Sequence, residues 1–365
     1  EPSGPNRGHV EPGPASVRFL GAEPAATATR PSKPGEVYRD VVVVGASAGG
    51  VEALSRMMPG LPPEFPAAVL VVLHLSPTGT SVLPSILGRE GRLTAGVPAH
   101  DEKVHRGHVY VAPPDRHMLL AGSRVQLSAG PRENGHRPAI DPLFRSAART
   151  YGPRVIAVIL SGMLDDGSAG ARLVKERGGV VLVQSPEDAL YPAMPEHAST
   201  DTEVDGILAA DALAGRLAEL VEEPLDPAWE AEVGARERAE QAAVAAAVTG
   251  EDGEPAELSC PECGGPLWER GEGEFVHFTC RVGHTYSPES LIVEQGTSLE
   301  RALWGATRGL YERADLYRRL ARRAEGTSAL AARFERRADA AEEHAEAVRG
   351  ALARLPPATE AEEPA

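Results

Sequence analysis

Three stretches of the chain are apolar at nearly every position and lead into a polar residue. Residues 41–46 run into Ser47, residues 69–73 run into His74, and residues 155–160 stop a few positions short of Asp166. Unbroken runs of this length, rich in valine and isoleucine, suit parallel strands covered on both faces rather than half-exposed antiparallel ones. Residues 180–184 read as a further buried strand. Between the strands, residues 49–58 predict a helix closed by Pro59 and Gly60. Residues 141–151 predict another, with Asp141 as N-cap and Pro142 in the first turn, and residues 210–222 a last amphipathic one. Residues 107–112 and 117–127 read as shorter strands joined by Pro113-Pro114, a local antiparallel ribbon. Alternation of this kind over residues 36–224 predicts a doubly wound, mostly parallel α/β domain of Rossmann-like type. In such a sheet the residues just past the carboxyl ends of the strands meet along one edge. A serine, a histidine and an aspartate delivered there are the parts of a nucleophilic triad.

The flanking segments read differently. Residues 1–35 are rich in Pro, Gly and Ala without apolar periodicity and read as disordered. Residues 225–256 read as an alanine- and glutamate-rich helix (229–248) followed by an acidic linker over 250–257. Residues 257–287 form a small cysteine-bearing module, residues 288–356 a helical hairpin, and residues 357–365 an acidic tail. In the hairpin, Ser287 is the expected N-cap with Pro288 at the first helical position, and a break falls at Gly326-Thr327-Ser328. Leu299, Leu303, Leu310 and Leu316 mark the expected pairing face. Arg318, Arg319, Arg322 and Arg323 form a basic cluster near the tip, read as a solvated face balanced by Glu342, Glu343 and Glu346.

A net charge of −16 argues against nucleic acid or an anionic membrane as the main partner. No apolar run reaches bilayer length, and no signal-peptide pattern opens the chain, so a cytoplasmic protein without membrane insertion is expected. The chain starts at Glu1 rather than methionine, which leaves room for upstream sequence.

Gly45-Ala46-Ser47-Ala48-Gly49 fits the G-x-S-x-G pattern of a nucleophile on a strand-to-helix turn, and equally a glycine-rich phosphate loop or a tight strand–helix connection. Neither a P-loop nor a dinucleotide fingerprint follows it. The order Ser47, His74, Asp166 differs from the serine, acid, histidine order of α/β-hydrolases. Of the eleven histidines only His74 directly ends a strongly buried strand. His108 lies inside a strand, His100, His105 and His136 read as surface residues, and His117 and His197 could approach the sheet edge.

Five ordered blocks, GASAGGVEAL, VVLHLSP, GHVYVAPPDRHMLL, IDPLFRSAA and ILSGMLDDGSAG, closely resemble the catalytic domain of chemotaxis protein-glutamate methylesterases over roughly residues 38–222. The resemblance implies a serine nucleophile at Ser47, a general base at His74, and the triad acid at Asp166 rather than Asp165. It implies hydrolysis of glutamyl γ-methyl esters on chemoreceptor cytoplasmic helices, with release of methanol, and deamidation of selected glutamines. Backbone N–H groups around Ala48, Gly162 and Met163 are the expected oxyanion donors, and no cofactor is required for catalysis. Departures from the family pattern are Leu164 where glycine is common, Ala48 where threonine is common, and Leu75-Ser76-Pro77 after the histidine. No receiver domain precedes the match in this sequence. Two other functions are compatible with the residues: a triad esterase acting on another protein or a small-molecule ester, and a non-enzymatic α/β scaffold presenting the C-terminal module.

Cys260-Pro261-Glu262-Cys263, then sixteen residues, then Cys280 and His284 form a Cys₃His set with zinc-ribbon spacing. Four protein ligands imply a closed, structural zinc site; His277 is a less well-spaced candidate for the fourth. A module this small lacks the core to fold alone, so metal would supply much of its stability. The ribbon and hairpin are expected to stand in for the receiver as a regulatory element, or as a docking element for other signalling proteins.

Overall fold

The computed structural model describes residues 36–74, 81–226, 254–271, 276–324 and 328–355. The expected disordered segment 1–35, the helix over 229–248, the residues 75–77 after the histidine, Gly326 and Thr327 of the expected break and the tail 357–365 lie outside them, while Ser328 of that break is already helical.

The central sheet has seven strands: β1 (Val41–Ala46), β2 (Ala68–Leu73), β3 (Thr94–Gly96), β4 (His108–Val111), β5 (Val155–Ile159), β6 (Val180–Gln184) and β7 (Gly206–Leu208). Their order is β7-β6-β5-β1-β2-β4-β3, and every neighbouring pair is parallel. Along β1, Val42, Val44 and Ala46 face one apolar cluster and Val41 and Val43 face another, so no position is left for a polar residue. Helices α1 (Gly50–Met57), α2 (Leu83–Glu90) and α6 (Ala210–Leu220) cover the first face through Leu54, Met57, Leu87, Leu213 and Leu217. Helices α3 (Ile140–Tyr151), α4 (Ser168–Glu176) and α5 (Ala193–Asp201) cover the second through Phe144, Ala147, Val174, Met194 and Ala198. Each such fully buried large side chain contributes roughly 1.5–3 kcal/mol. The strand order reverses direction between β1 and β5, the topological switch point where doubly wound sheets bind ligands.

Two sequence expectations are revised here. The strand over 107–112 is not part of an antiparallel ribbon: β4 pairs in parallel with β2, Val69 opposite Val109. The ribbon is formed instead by His117–Ala121 and Arg124–Ser128, hairpinned at Gly122-Ser123, with Glu102–Lys103 alongside. Asp141 is not an N-cap either. The α3 N-cap is Ala139, and Asp141 sits buried in the first turn.

After residue 253 an antiparallel sheet of β8 (Glu254–Ser259), β9 (Pro266–Arg270), β10 (His277–Cys280) and β11 (Thr285–Tyr286) forms the cysteine-bearing module. Its first strand begins inside the stretch expected to be linker. Ser287 then caps α7 (Pro288–Arg323), its hydroxyl accepting from Ser290 N–H at 3.1 Å. Helix α8 (Ser328–Leu352) returns along α7. Tyr311 pairs with Glu346 and Arg318 with Glu342, so one number rises as the other falls and the hairpin is antiparallel. Its seam is not the leucine stripe. Thr307, Ala314 and Ala321 on α7 and Ala338, Ala341 and Ala345 on α8 are buried, whereas Leu303 and Leu310 are half-buried and Leu299 and Leu316 are 50% and 55% exposed. Small residues at seven-residue spacing let the helix backbones approach closely, which turns the bulkier leucines outward or to the flanks. No helix among the described residues is long and apolar enough to cross a membrane.

Candidate active site

Strands β2, β1 and β5 are neighbours, so the residues following them converge at the carboxyl edge of the sheet. The backbone turns sharply after β1. Ser47 N–H donates to Ser161 O at 3.0 Å, and Gly49 adopts φ 73° before α1 begins. A Cβ on Gly49 would stand 2.5 Å from Ser161 Oγ, so a side chain is excluded there by both space and conformation. Ser161 Oγ in turn donates to Ala48 O and accepts from Tyr191 N–H, which ties the serine turn to the loop after β6.

Ser47 Oγ lies 3.1 Å from His74 Nδ1, and His74 Nε2 lies 2.8 Å from Asp166 Oδ2. Asp166 is 2% exposed and takes three further donors: Ile140 N–H at 2.7 Å, Asp141 N–H at 3.2 Å and Asn134 Nδ2 at 3.0 Å. The first two belong to the free N-terminal amides of α3, so Asp166 takes over the capping that Asp141 does not perform. Burial alone would raise the Asp166 pKa. The hydrogen bond and charge of His74, with the Ile140 amide, outweigh it and hold the carboxyl well below the usual range. An ionised Asp166 fixes the proton on Nε2, so Nδ1 is left to accept from the Ser47 hydroxyl. Asp165 turns the other way, accepting from Ser287 Oγ at 2.8 Å and Ser290 Oγ at 3.1 Å; burial pushes its pKa up to about 6.

Of the expected oxyanion donors, Gly162 is otherwise engaged: its N–H donates to Tyr191 O at 3.0 Å. Among the described residues, neither Ala48 N–H nor Met163 N–H is drawn into the backbone hydrogen bonds that hold the surrounding turns. Leu164 stands at φ 62°, a conformation costing a residue with a Cβ roughly 1–2 kcal/mol, and His197 Nδ1 donates to its carbonyl at 3.0 Å. His117 is locked between Pro131 O and Ala139 N–H and is a structural residue.

The structure adds two residues that sequence reasoning passed over. His136, expected on the surface, stacks on the His74 ring with centroids 3.7 Å apart and planes 14° from parallel. Burial, then the adjacent His74 charge, pushes its pKa down to about 3, so at neutral pH it adds no like charge beside the base. Asn134 is 4% exposed and bridges the two buried carboxylates, donating to Asp166 and to Asp141 Oδ2 at 3.2 Å. Asp141 also accepts from Gly170 N–H at 2.6 Å; burial and the neighbouring Asp166 hold its pKa well above the usual value. The signal for this turn was in the sequence. Asn134 and Gly135 have φ 51° and 75°, with reciprocal Glu133–His136 backbone bonds, the type I′ turn that an Asn-Gly pair favours.

In the C-terminal module, Cys260, Cys263, Cys280 and His284 offer ligand atoms that all lie within 4.8 Å of one another. Cys263 and Cys280 sulfurs are 3.6 Å apart, and His284 Nδ1 is 3.5 Å from Cys280 Sγ and 3.7 Å from Cys260 Sγ. A tetrahedral ion with metal–sulfur bonds of about 2.3 Å has edges of about 3.8 Å, so the donor set fits a four-coordinate metal. His277 is not among them; it lines a cavity of about 610 Å³ with Glu133, Arg145, Asp165 and Thr285, behind the triad acid rather than at Ser47.

A doubly wound α/β domain with a serine–histidine–aspartate chain at its switch point defines the class. Residues 42–217 match the family described as CheB methylesterase. A putative protein-glutamate methylesterase/protein-glutamine glutaminase of Leptospira interrogans serovar copenhageni is 35% identical over 176 residues, 48% of this chain and 91% of that protein. The chain belongs to the CheB methylesterase family. Protein-glutamate methylesterase/protein-glutamine glutaminase 2 of Anaeromyxobacter dehalogenans is 39% identical over 181 residues, 50% of this chain and 53% of the relative. The chain thus spans about half the length of several curated relatives it matches. The crystal structure of the Thermotoga maritima CheB methylesterase catalytic domain shares 36% identity, covering 51% of this chain and 100% of that one with a TM-score of 0.49.

Proposed function

We propose that the protein is a serine hydrolase that removes methyl esters from glutamate side chains of chemoreceptors and deamidates receptor glutamines at the same site. The observation that carries this reading is the hydrogen-bonded chain from Ser47 through His74 to a buried, ionised Asp166. Ser47 Oγ attacks the ester carbonyl while His74 Nδ1 takes its proton. The tetrahedral oxyanion is met by the N–H groups of Ala48 and Met163, and His74 returns the proton to the leaving methanol. Water, deprotonated by His74, then attacks the acyl-enzyme; the Ser47 Oγ–acyl bond breaks, His74 returns the proton to Ser47 Oγ, and the glutamate carboxylate is released. Throughout, Asp166 holds the Nε2 proton and stabilises the imidazolium. Replacing methoxide by an amide makes the leaving group ammonia with the same residues.

The family and the rim of the site support this substrate class. Leu190, Tyr191 and Val51 are exposed around the serine turn, an apolar ledge suited to one face of a receptor helix. The names of the relatives, protein-glutamate methylesterase/protein-glutamine glutaminase, support the same reading. Such receptor helices lie on the cytoplasmic side, where three cysteines held as metal ligands rather than disulfides are at home. The Cys₃His set takes a structural zinc ion, which supplies cohesion to the ribbon and no chemistry to the hydrolysis.

The test is methanol release from a methylated receptor cytoplasmic fragment. Wild type is expected to release methanol, and Ser47→Ala to lower kcat on the order of a millionfold. A wild type that releases none, or a Ser47→Ala protein that keeps its rate, overturns the reading.

A further inference from the structure

The ribbon does not hang free of the catalytic domain. Asn134 N–H donates to Thr285 O at 2.8 Å, and Ser287 N–H donates to Asn134 Oδ1 at 3.0 Å. With both Nδ2 hydrogens committed to Asp166 and Asp141, the Asn134 amide is engaged at both ends, one on the module and the other on the triad acid. Thr285 directly follows His284, and Ser287 opens α7. Around this bond the contact is reinforced. The Ser287 and Ser290 hydroxyls hold Asp165 next to the acid, Glu262 pairs with Arg132 at 3.6 Å, and Glu294 packs over Gly135. The same Asn-Gly turn delivers His136 onto the far face of His74.

We propose that the metal-bound ribbon is a positioning clamp for the triad, acting through Asn134: closing the ribbon around its metal sets Thr285 and Ser287, these fix the Asn134 amide, and Asn134 orients Asp166. Asn134 touches no substrate and is a positioning residue. An Asp166 freed on that side keeps the α3 amides but loses one of the donors that aim Oδ2 at His74, so the Ser47 hydroxyl is presented less often in reactive alignment. The inference rests on the triad reading above.

Ser287 gives a clean cut. Its φ of −67° is one proline accepts, so Ser287→Pro deletes the N–H given to Asn134 without touching a metal ligand, while Ser287→Ala removes the hydroxyl alone. The full-length protein would be labelled with a fluorophosphonate, with Ser47 modification followed by mass spectrometry and bound zinc measured in each sample. Ser287→Pro and Asn134→Ala should slow labelling roughly tenfold relative to Ser287→Ala, with zinc retained. The low-field His74 Nε2 proton, assigned by its loss in His74→Gln, should shift or broaden in both. In methanol release the loss should fall on kcat with KM unchanged. Stripping zinc should slow wild type similarly but add less than twofold to Asn134→Ala, because both act through one bond. Labelling indifferent to Ser287→Pro and to zinc, faster labelling after either, or losses that multiply independently each overturn the clamp. Wild type that is not labelled at Ser47 overturns the triad reading first, and the two failures are thereby distinguished.

Discussion

At the scale of single residues, the site is an arrangement of charge around one carboxylate. Asp166 stays ionised in a buried position because four donors converge on it, one of them, Asn134, shared with Asp141, whose own pKa is raised. His136 completes the arrangement by remaining neutral against His74. Its folded pKa of about 3 lies below its ordinary 6.5, so between those values the unfolded chain binds a proton that the folded chain refuses. Its contribution to stability is full above pH 6.5 and is lost as the pH falls toward 3, at up to about 1.4 kcal/mol per pH unit. His136→Phe keeps a ring in the stack and should flatten this acid limb in urea unfolding; an unchanged slope would contradict the assignment. Ser47 and His74 could be picked out in the sequence because each directly follows an unbroken apolar strand, whereas Asp166 was told from Asp165 only by the family resemblance. His136 could not, because its polar neighbours say nothing of a ring 62 positions away in the chain against which it packs.

At the scale of elements, the buried strands were legible for a simple reason. A strand covered on both faces has no polar position, and β1, β2, β5 and β6 show none before their last residue. The short edge strands β3 and β7 carry no such signature and are three residues each. The start of α7 was legible from its cap at Ser287, but the seam of the hairpin was misread. Leucine spacing suggested a leucine face, whereas the close approach of α7 and α8 selects alanine and threonine. Ala314→Leu should therefore cost about 1–3 kcal/mol by overpacking, and Leu316→Ala should stay within about 0.5 kcal/mol, both read by thermal unfolding of the full chain followed by helical circular dichroism. The reverse ranking would restore the leucine face.

At the scale of the whole molecule, the chain joins an α/β domain of the CheB methylesterase family to a cysteine-bearing ribbon whose last strand and following helix cap meet the turn beside Asp166. The sequence shows both parts by their motifs. It does not show their contact, because Asn134 and Ser287 meet across 153 positions and neither belongs to an apolar pattern. The proposed function turns on Ser47 being a nucleophile made reactive by His74, whose Nδ1 lies 3.1 Å from the hydroxyl. The most direct measurement is the site and rate of fluorophosphonate labelling in wild type and in His74→Ala. The expected result is a single adduct on Ser47 that forms on the order of a thousandfold more slowly without the histidine. An adduct on another residue, or one on Ser47 that forms equally fast without His74, would contradict it.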